Sequence, residues 1–135
     1  MGVNDDCPSE IRGAFKFLVE EFGYRIERDE VLFHGSRPYG YVLEYTGNDR
    51  RVDLVHDYKE DFFYFKIIRG VDTPYPNESD RENIIGFPKV FLSFDPSFDP
   101  SILQPRNKTC AEAAQLNARL LKEYAVEILK GNEWV

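Results

Sequence analysis

The sequence predicts an α+β fold: a two-layer sandwich with an N-terminal helix, an antiparallel meander of about 4–6 strands and a long C-terminal helix. Three observations predict it. Apolar residues recur at helical spacing near the start, alternate with a two-residue period through positions 39–69, and return to helical spacing near the end. At 135 residues the chain has room for one domain, residues 1–135. A domain of that length buries roughly two-thirds of its unfolded surface and forms a core without staples.

The first helix is expected from about Pro8 to Phe22. Ile11, Ala14, Phe15, Leu18, Val19 and Phe22 make one stripe of a 3.6-residue period, and Glu10, Arg12, Lys16 and Glu20 make the solvated side. Asp5 and Asp6 suit a helix start, Pro8 suits a first turn and Gly23 suits a left-handed stop. Short strands follow at Tyr24–Arg28 and Val31–His34, with a turn or bulge at Asp29–Glu30. Three longer ones are expected at Tyr39–Thr46, Arg51–Tyr58 and Asp61–Arg69, linked by tight polar turns at 47–50 and 59–61. Gly70 to Asn83 reads as a polar loop, and Lys89–Phe94 as an edge strand. The tandem Ser93-Phe94-Asp95-Pro96 and Ser97-Phe98-Asp99-Pro100 reads as a connector with a helical turn near Pro100–Leu103. Thr109 and Glu112 have capping-box spacing and open a helix reaching about Lys130, before Gly131. At about 22 residues such a helix is roughly 33 Å long.

Composition narrows the function. A formal charge of −7 argues against a nucleic-acid surface and against docking on anionic lipid, so no nucleic acid and no membrane is expected as a partner. It suits a basic protein partner, although acidity for solubility has the same appearance. The first residues carry no basic-then-apolar leader pattern, and no apolar run approaches membrane-spanning length, so a cytoplasmic protein is expected. In that compartment Cys7 and Cys110, which lie outside any CxxC motif, are expected as reduced thiols; a bridge between the two helix starts has nothing in the sequence to support it.

No pattern of catalysis, cofactor binding or metal ligation stands out, and none of the three is expected; the balance is against an enzyme. Gly35, Gly40 and Gly47 fit neither Walker nor dinucleotide spacing. His34 and His56 are the only histidines, and Asp53 and Asp57 point to the face of the strand opposite His56. Cys7 at a helix start has acidic neighbours, which oppose a reactive thiolate.

Two features remain. Asp53, Asp57, Glu60 and Asp61 cluster on a strand and its turn, as a solvated edge or an acidic recognition patch. Tyr39, Tyr41 and Tyr45, with Phe62 and Tyr64, are either rings under the helices or an exposed binding platform.

The capped helix ending in Phe22-Gly23, the strand Tyr41-Val42-Leu43-Glu44-Tyr45, the hairpin into Arg51-Val52-Asp53-Leu54-Val55 and the close on Leu120 through Gly131 resemble small uncharacterised bacterial α+β proteins, including immunity-type proteins that neutralise toxins. The resemblance is one of layout and implies no particular binding residue.

The reading is therefore a non-enzymatic protein-binding domain, with Tyr39, Tyr41, Tyr45, Asp53, Asp57, Glu60 and Asp61 as its partner surface. An alternative is a small-ligand or enzyme domain with a pocket between the sheet and the 70–83 loop, its polar groups being His34, Arg37, His56 and Tyr58. A third reading is a homodimer pairing through an open sheet face.

Overall fold

The computed structural model describes residues 7–70 and 82–134. Helices α1 (Cys7–Phe15) and α2 (Phe17–Glu20) are followed by strands β1 (Arg25–His34), β2 (Arg37–Gly47), β3 (Arg50–Asp57), β4 (Phe62–Arg69) and β5 (Ile84–Gly86). Helix α3 (Phe87–Phe94), a 3-10 turn at Pro100–Leu103, α4 (Cys110–Tyr124) and α5 (Val126–Leu129) complete the order. The five strands form one antiparallel sheet in the order β1-β2-β3-β4-β5. The predicted α+β layout is the one observed.

Alternation sorts the sheet into two sides. Tyr41, Leu43 and Tyr45 of β2, Val52, Leu54 and His56 of β3, and Phe63, Phe65 and Ile67 of β4 point to one side and are buried. All of these except His56 join one hydrophobic cluster with Ile11, Phe15 and Leu18, with Phe87, Val90 and Phe91 of α3, and with Ala114, Leu121, Ile128 and Leu129 near the end. The helices thus lie on this side, and burying it supplies most of the driving force. Val42 and Ile68 face the other way and are buried outside that cluster.

The β2–β3 turn is made by Asn48 and Asp49, both with positive φ (50° and 60°), the handedness that fits the twist of a two-residue hairpin. Beside it, a Cβ on Gly47 would lie 2.9 Å from the Tyr24 ring, so the hairpin closes only with glycine there. The end of the chain is fastened to this hairpin. Tyr24 donates its hydroxyl to the Leu129 carbonyl at 2.6 Å, Asn48 donates to the same carbonyl at 3.0 Å, and Arg50 donates to the carbonyls of Ile128 and Glu133.

Five expectations are corrected. The first helix breaks at Lys16, and the last breaks at Ala125, so α4 is only 15 residues long. By rise per residue that is about 22 Å. Its capping box is present, Thr109 accepting from the Glu112 N–H and Glu112 from the Thr109 N–H. Asp29–Glu30 is no turn: β1 runs through it, with irregular register between Ile26 and Arg28 and between Leu32 and Phe33. An edge strand with a wet outer side accepts acidic residues and bulges at little cost. Lys89–Phe94 lies in helix α3 rather than in a strand. Phe87, Val90 and Phe91 are spaced i, i+3, i+4 toward the core, and Pro88 falls in the first turn, where its missing N–H costs nothing. Finally, Cys7 and Cys110 are joined by a disulfide, not separate thiols. The loop expected from Gly70 to Asn83 lies outside the described residues at 71–81.

Candidate functional site

The sheet side turned away from the helices carries no helix among the described residues, although Val42, Asp53 and Ile68 on it are buried. On β3 and β4 it presents Val55, Phe62 and Tyr64. The Phe62 and Tyr64 rings stand 4.8 Å apart, and Tyr64 is 50% exposed. Together with Lys66, Ile84 and Pro88 these side chains line a shallow concavity of about 540 Å³. Toward β1 the same side turns ionic. Arg51 stands 3.2 Å from Asp53 and 3.8 Å from Glu44, and Glu44 lies 3.6 Å from Arg28.

Asp53 is buried in this ladder. One carboxylate oxygen meets Arg51, while Oδ1 has no hydrogen-bond partner among the described residues. Burial pushes its carboxyl above the usual carboxylate range, and Arg51 opposes the shift.

The turn after β3 supplies acids next to the aromatic pair. Asp57 opposes Phe62 across the strands, and its carboxylate accepts from the N–H groups of Lys59 and Glu60, which fixes the turn. Glu60 is exposed, while Asp61, also exposed, has φ +49° and reaches back to His56.

Of the seven residues predicted as a partner surface, Asp57, Glu60 and Asp61 come together at this turn, and Tyr39 is 47% exposed at the rim of the helix side. Tyr41 and Tyr45 lie in the core under the helices. Tyr41 donates to Asp29 at 2.6 Å and accepts from Arg12 at 3.3 Å, and burial pushes its hydroxyl well above the usual phenol range. Asp53 is enclosed and so withdrawn from the acidic edge. Phe62 and Tyr64 had a visible signal in the sequence, because both sit out of phase with the core-facing Phe63, Phe65 and Ile67.

The alternative quartet does not converge. His34 and Arg37 oppose each other at the exposed tip of the β1–β2 hairpin. His56 points into the helix side, with Tyr58 against it at 5.1 Å between ring centres. The 540 Å³ concavity lies on the opposite side of the sheet from the His56 ring.

A second cluster escaped sequence reasoning. Cys7 and Cys110 are the first residues of α1 and α4, two helices that pack together, and their sulfurs meet beneath β3. His56 Nδ1 stands 3.3 Å from Cys7 Sγ, and Nε2 stands 2.9 Å from Asp61 Oδ1. Burial lowers the imidazole's basicity, and Asp61 opposes that shift. Asp53 and Asp57 do point away from His56, as the pleat requires; the carboxylate that reaches it comes from the turn. The position of both cysteines at helix starts was the one available signal.

Comparison with known protein families, with curated proteins and with solved structures finds no match to this chain. No helix among the described residues is long and apolar enough to cross a membrane.

Proposed function

We propose that the chain is a non-enzymatic protein-binding domain of the immunity type, seating a basic protein partner on the side of its sheet that no described helix covers. The observation that carries this reading is Tyr64, half exposed against Phe62 on a side no described helix covers, with an acidic turn alongside. An amphipathic ring over an apolar floor is the usual composition of a binding anchor. The formal charge of −7 and the acids at Asp57 and Glu60 favour a basic partner by raising its encounter rate. The immunity-type part rests on the resemblance of layout. In this reading the domain works in the cytoplasm, where reductants hold most cysteines as thiols.

Affinity capture from the native host supplies the partner, and two variants then decide the surface. Tyr64→Ala is expected to weaken binding by about 2 kcal/mol, the size of a central anchor. Glu60→Lys is expected to slow association, with the difference shrinking at high salt. Equal affinities and rates for all three chains at low and high salt would refute the surface. Self-association is the competing outcome: if sedimentation shows a dimer that Tyr64→Ala dissolves, the occupant is a second copy and the homodimer reading replaces this one.

A further inference from the structure

In the bridged form His56 is poorly served. If Nε2 carries the ring proton and donates it to Asp61 at 2.9 Å, the Nδ1 lone pair is aimed at a sulfur 3.3 Å away that has no proton to give. If Nδ1 carries the proton instead, the Nε2 lone pair faces a carboxylate oxygen. Neither neutral tautomer satisfies both nitrogens, and the residue is only 1% exposed. Three partners resolve the conflict at Nδ1: a second ring proton, a thiol proton or a metal cation.

We propose that the reduced chain binds a zinc-class divalent cation through Cys7 Sγ, Cys110 Sγ and His56 Nδ1, with Asp61 orienting the imidazole. The three donor atoms already lie within 4.8 Å of one another. A tetrahedral zinc with bonds of about 2.3 Å to sulfur and about 2.0 Å to nitrogen sets its sulfurs about 3.8 Å apart and each about 3.5 Å from the nitrogen. The Cys7–His56 spacing of 3.3 Å nearly meets that requirement. Side-chain rotation at the cysteines supplies the rest, because the Cα atoms stand 5.7 Å apart across the two helix starts.

Two further features favour the site. Both sulfurs lie at the N-terminal ends of helices, of 9 and 15 residues, whose dipoles favour thiolate. Asp61 on Nε2 reproduces the carboxylate–histidine–metal arrangement, which fixes the tautomer that leaves Nδ1 free. A soft donor set of two thiolates and an imidazole selects zinc over magnesium or calcium. The fourth position falls to water or to an exogenous donor.

The chemistry balances with a dithiol reductant. Two electrons and two protons pass from the reductant to the Cys7–Cys110 bond, giving two thiols and an oxidised reductant. Binding of the cation then releases the two thiol protons. Bridge and metal are alternative occupants of one place, so redox conditions choose between them. This site shares the turn residue Asp61 with the partner surface proposed above, but metal binding by the isolated chain does not depend on that reading.

The test uses the full chain, reduced with a phosphine under anaerobic conditions and titrated with cobalt(II) and then zinc. The expected result is a visible cobalt spectrum with a thiolate charge-transfer band, bleached by zinc and absent from the oxidised chain. Cys7→Ser and Cys110→Ser should each lose the charge-transfer intensity of one sulfur. Asp61→Asn, an exposed change expected to leave the circular dichroism intact, should weaken metal binding about 10-fold or more. If reduction unfolds the metal-free chain, metal should refold it. A folded reduced chain with no thiolate–cobalt band, an unfolded one that metal fails to rescue, or equal affinity in wild type and Asp61→Asn overturns the proposal.

Discussion

Gln104 pairs with Phe63 as a neighbouring strand would. Its side-chain oxygen accepts from the Phe63 N–H at 2.6 Å, and its amide donates to the Phe63 carbonyl at 3.1 Å. Strand β5 covers only Lys66–Ile68 of the β4 edge, so the near half of that edge would otherwise offer a free donor and acceptor.

Replacing that side chain should therefore do two things. Gln104→Ala leaves two backbone groups of a buried residue without partners, at a cost of about 1–3 kcal/mol in urea unfolding. The variant should also scatter more light as concentration rises, since the opened edge can pair with another molecule. A variant as stable and as monodisperse as the wild type would show that the edge is protected in another way.

Buried tyrosines set an alkaline limit. Burial pushes Tyr45 up to about 12 and Tyr24 and Tyr41 higher still, against about 10 in an unfolded chain. Folded values above unfolded ones mean stability is intact below pH 10 and is lost as pH rises toward the folded values. Tyr45 alone accounts for about 3 kcal/mol between pH 10 and 12. Unfolding followed by tyrosinate absorbance should be cooperative in that window, and Tyr45→Phe should shift it upward. Gradual ionisation from pH 10 with the fold intact would contradict the enclosure of these rings.

Asp53 predicts the opposite effect of a neutral substitution. Its carboxyl is held above the usual range, so its ionisation works against the folded state as pH rises through the carboxylate region. Asp53→Asn should match the wild type in acid and equal or exceed its stability at neutral pH, read from thermal midpoints. A large loss at neutral pH would mean that the ion pair with Arg51 outweighs desolvation.

The bridge between Cys7 and Cys110 spans 103 residues of sequence. Opening it without metal should cost roughly 2–5 kcal/mol, because a loop of that length regains much entropy in the unfolded chain. Urea midpoints with and without reductant measure it, with m-values showing whether the unfolded ensemble has changed.

The sheet was legible because a two-residue period is hard to mistake when both hairpins are tight: residues 39–69 have the expected pairing to within about two residues at each end. Helix α3 was not, because the run Phe87-Pro88-Lys89-Val90-Phe91-Leu92 is apolar under either period, and packing against Phe15 and Phe65 decides it. The breaks at Lys16 and Ala125 carry no glycine or proline that could signal them. Tyr41 and Tyr45 had their phase visible but not the identity of the covered side. The group around His56 was hidden for another reason: its members come from positions 7, 56, 61 and 110, and only the completed topology brings them together.

The fastening of residues 128–133 to the β2–β3 hairpin sets a timetable for synthesis. Tyr24 waits for Leu129 across 105 positions, and Arg50 waits for Ile128 and Glu133. While α4 is still being made, the buried side of the meander has only the part of its roof that α1, α2 and α3 supply, and the β2–β3 hairpin has unmatched donors. Native closure is thus a late event, dominated by distant pairings that fold slowly. Until those pairings form, the apolar side of the sheet is partly exposed, the condition in which a folding chain is prone to aggregate.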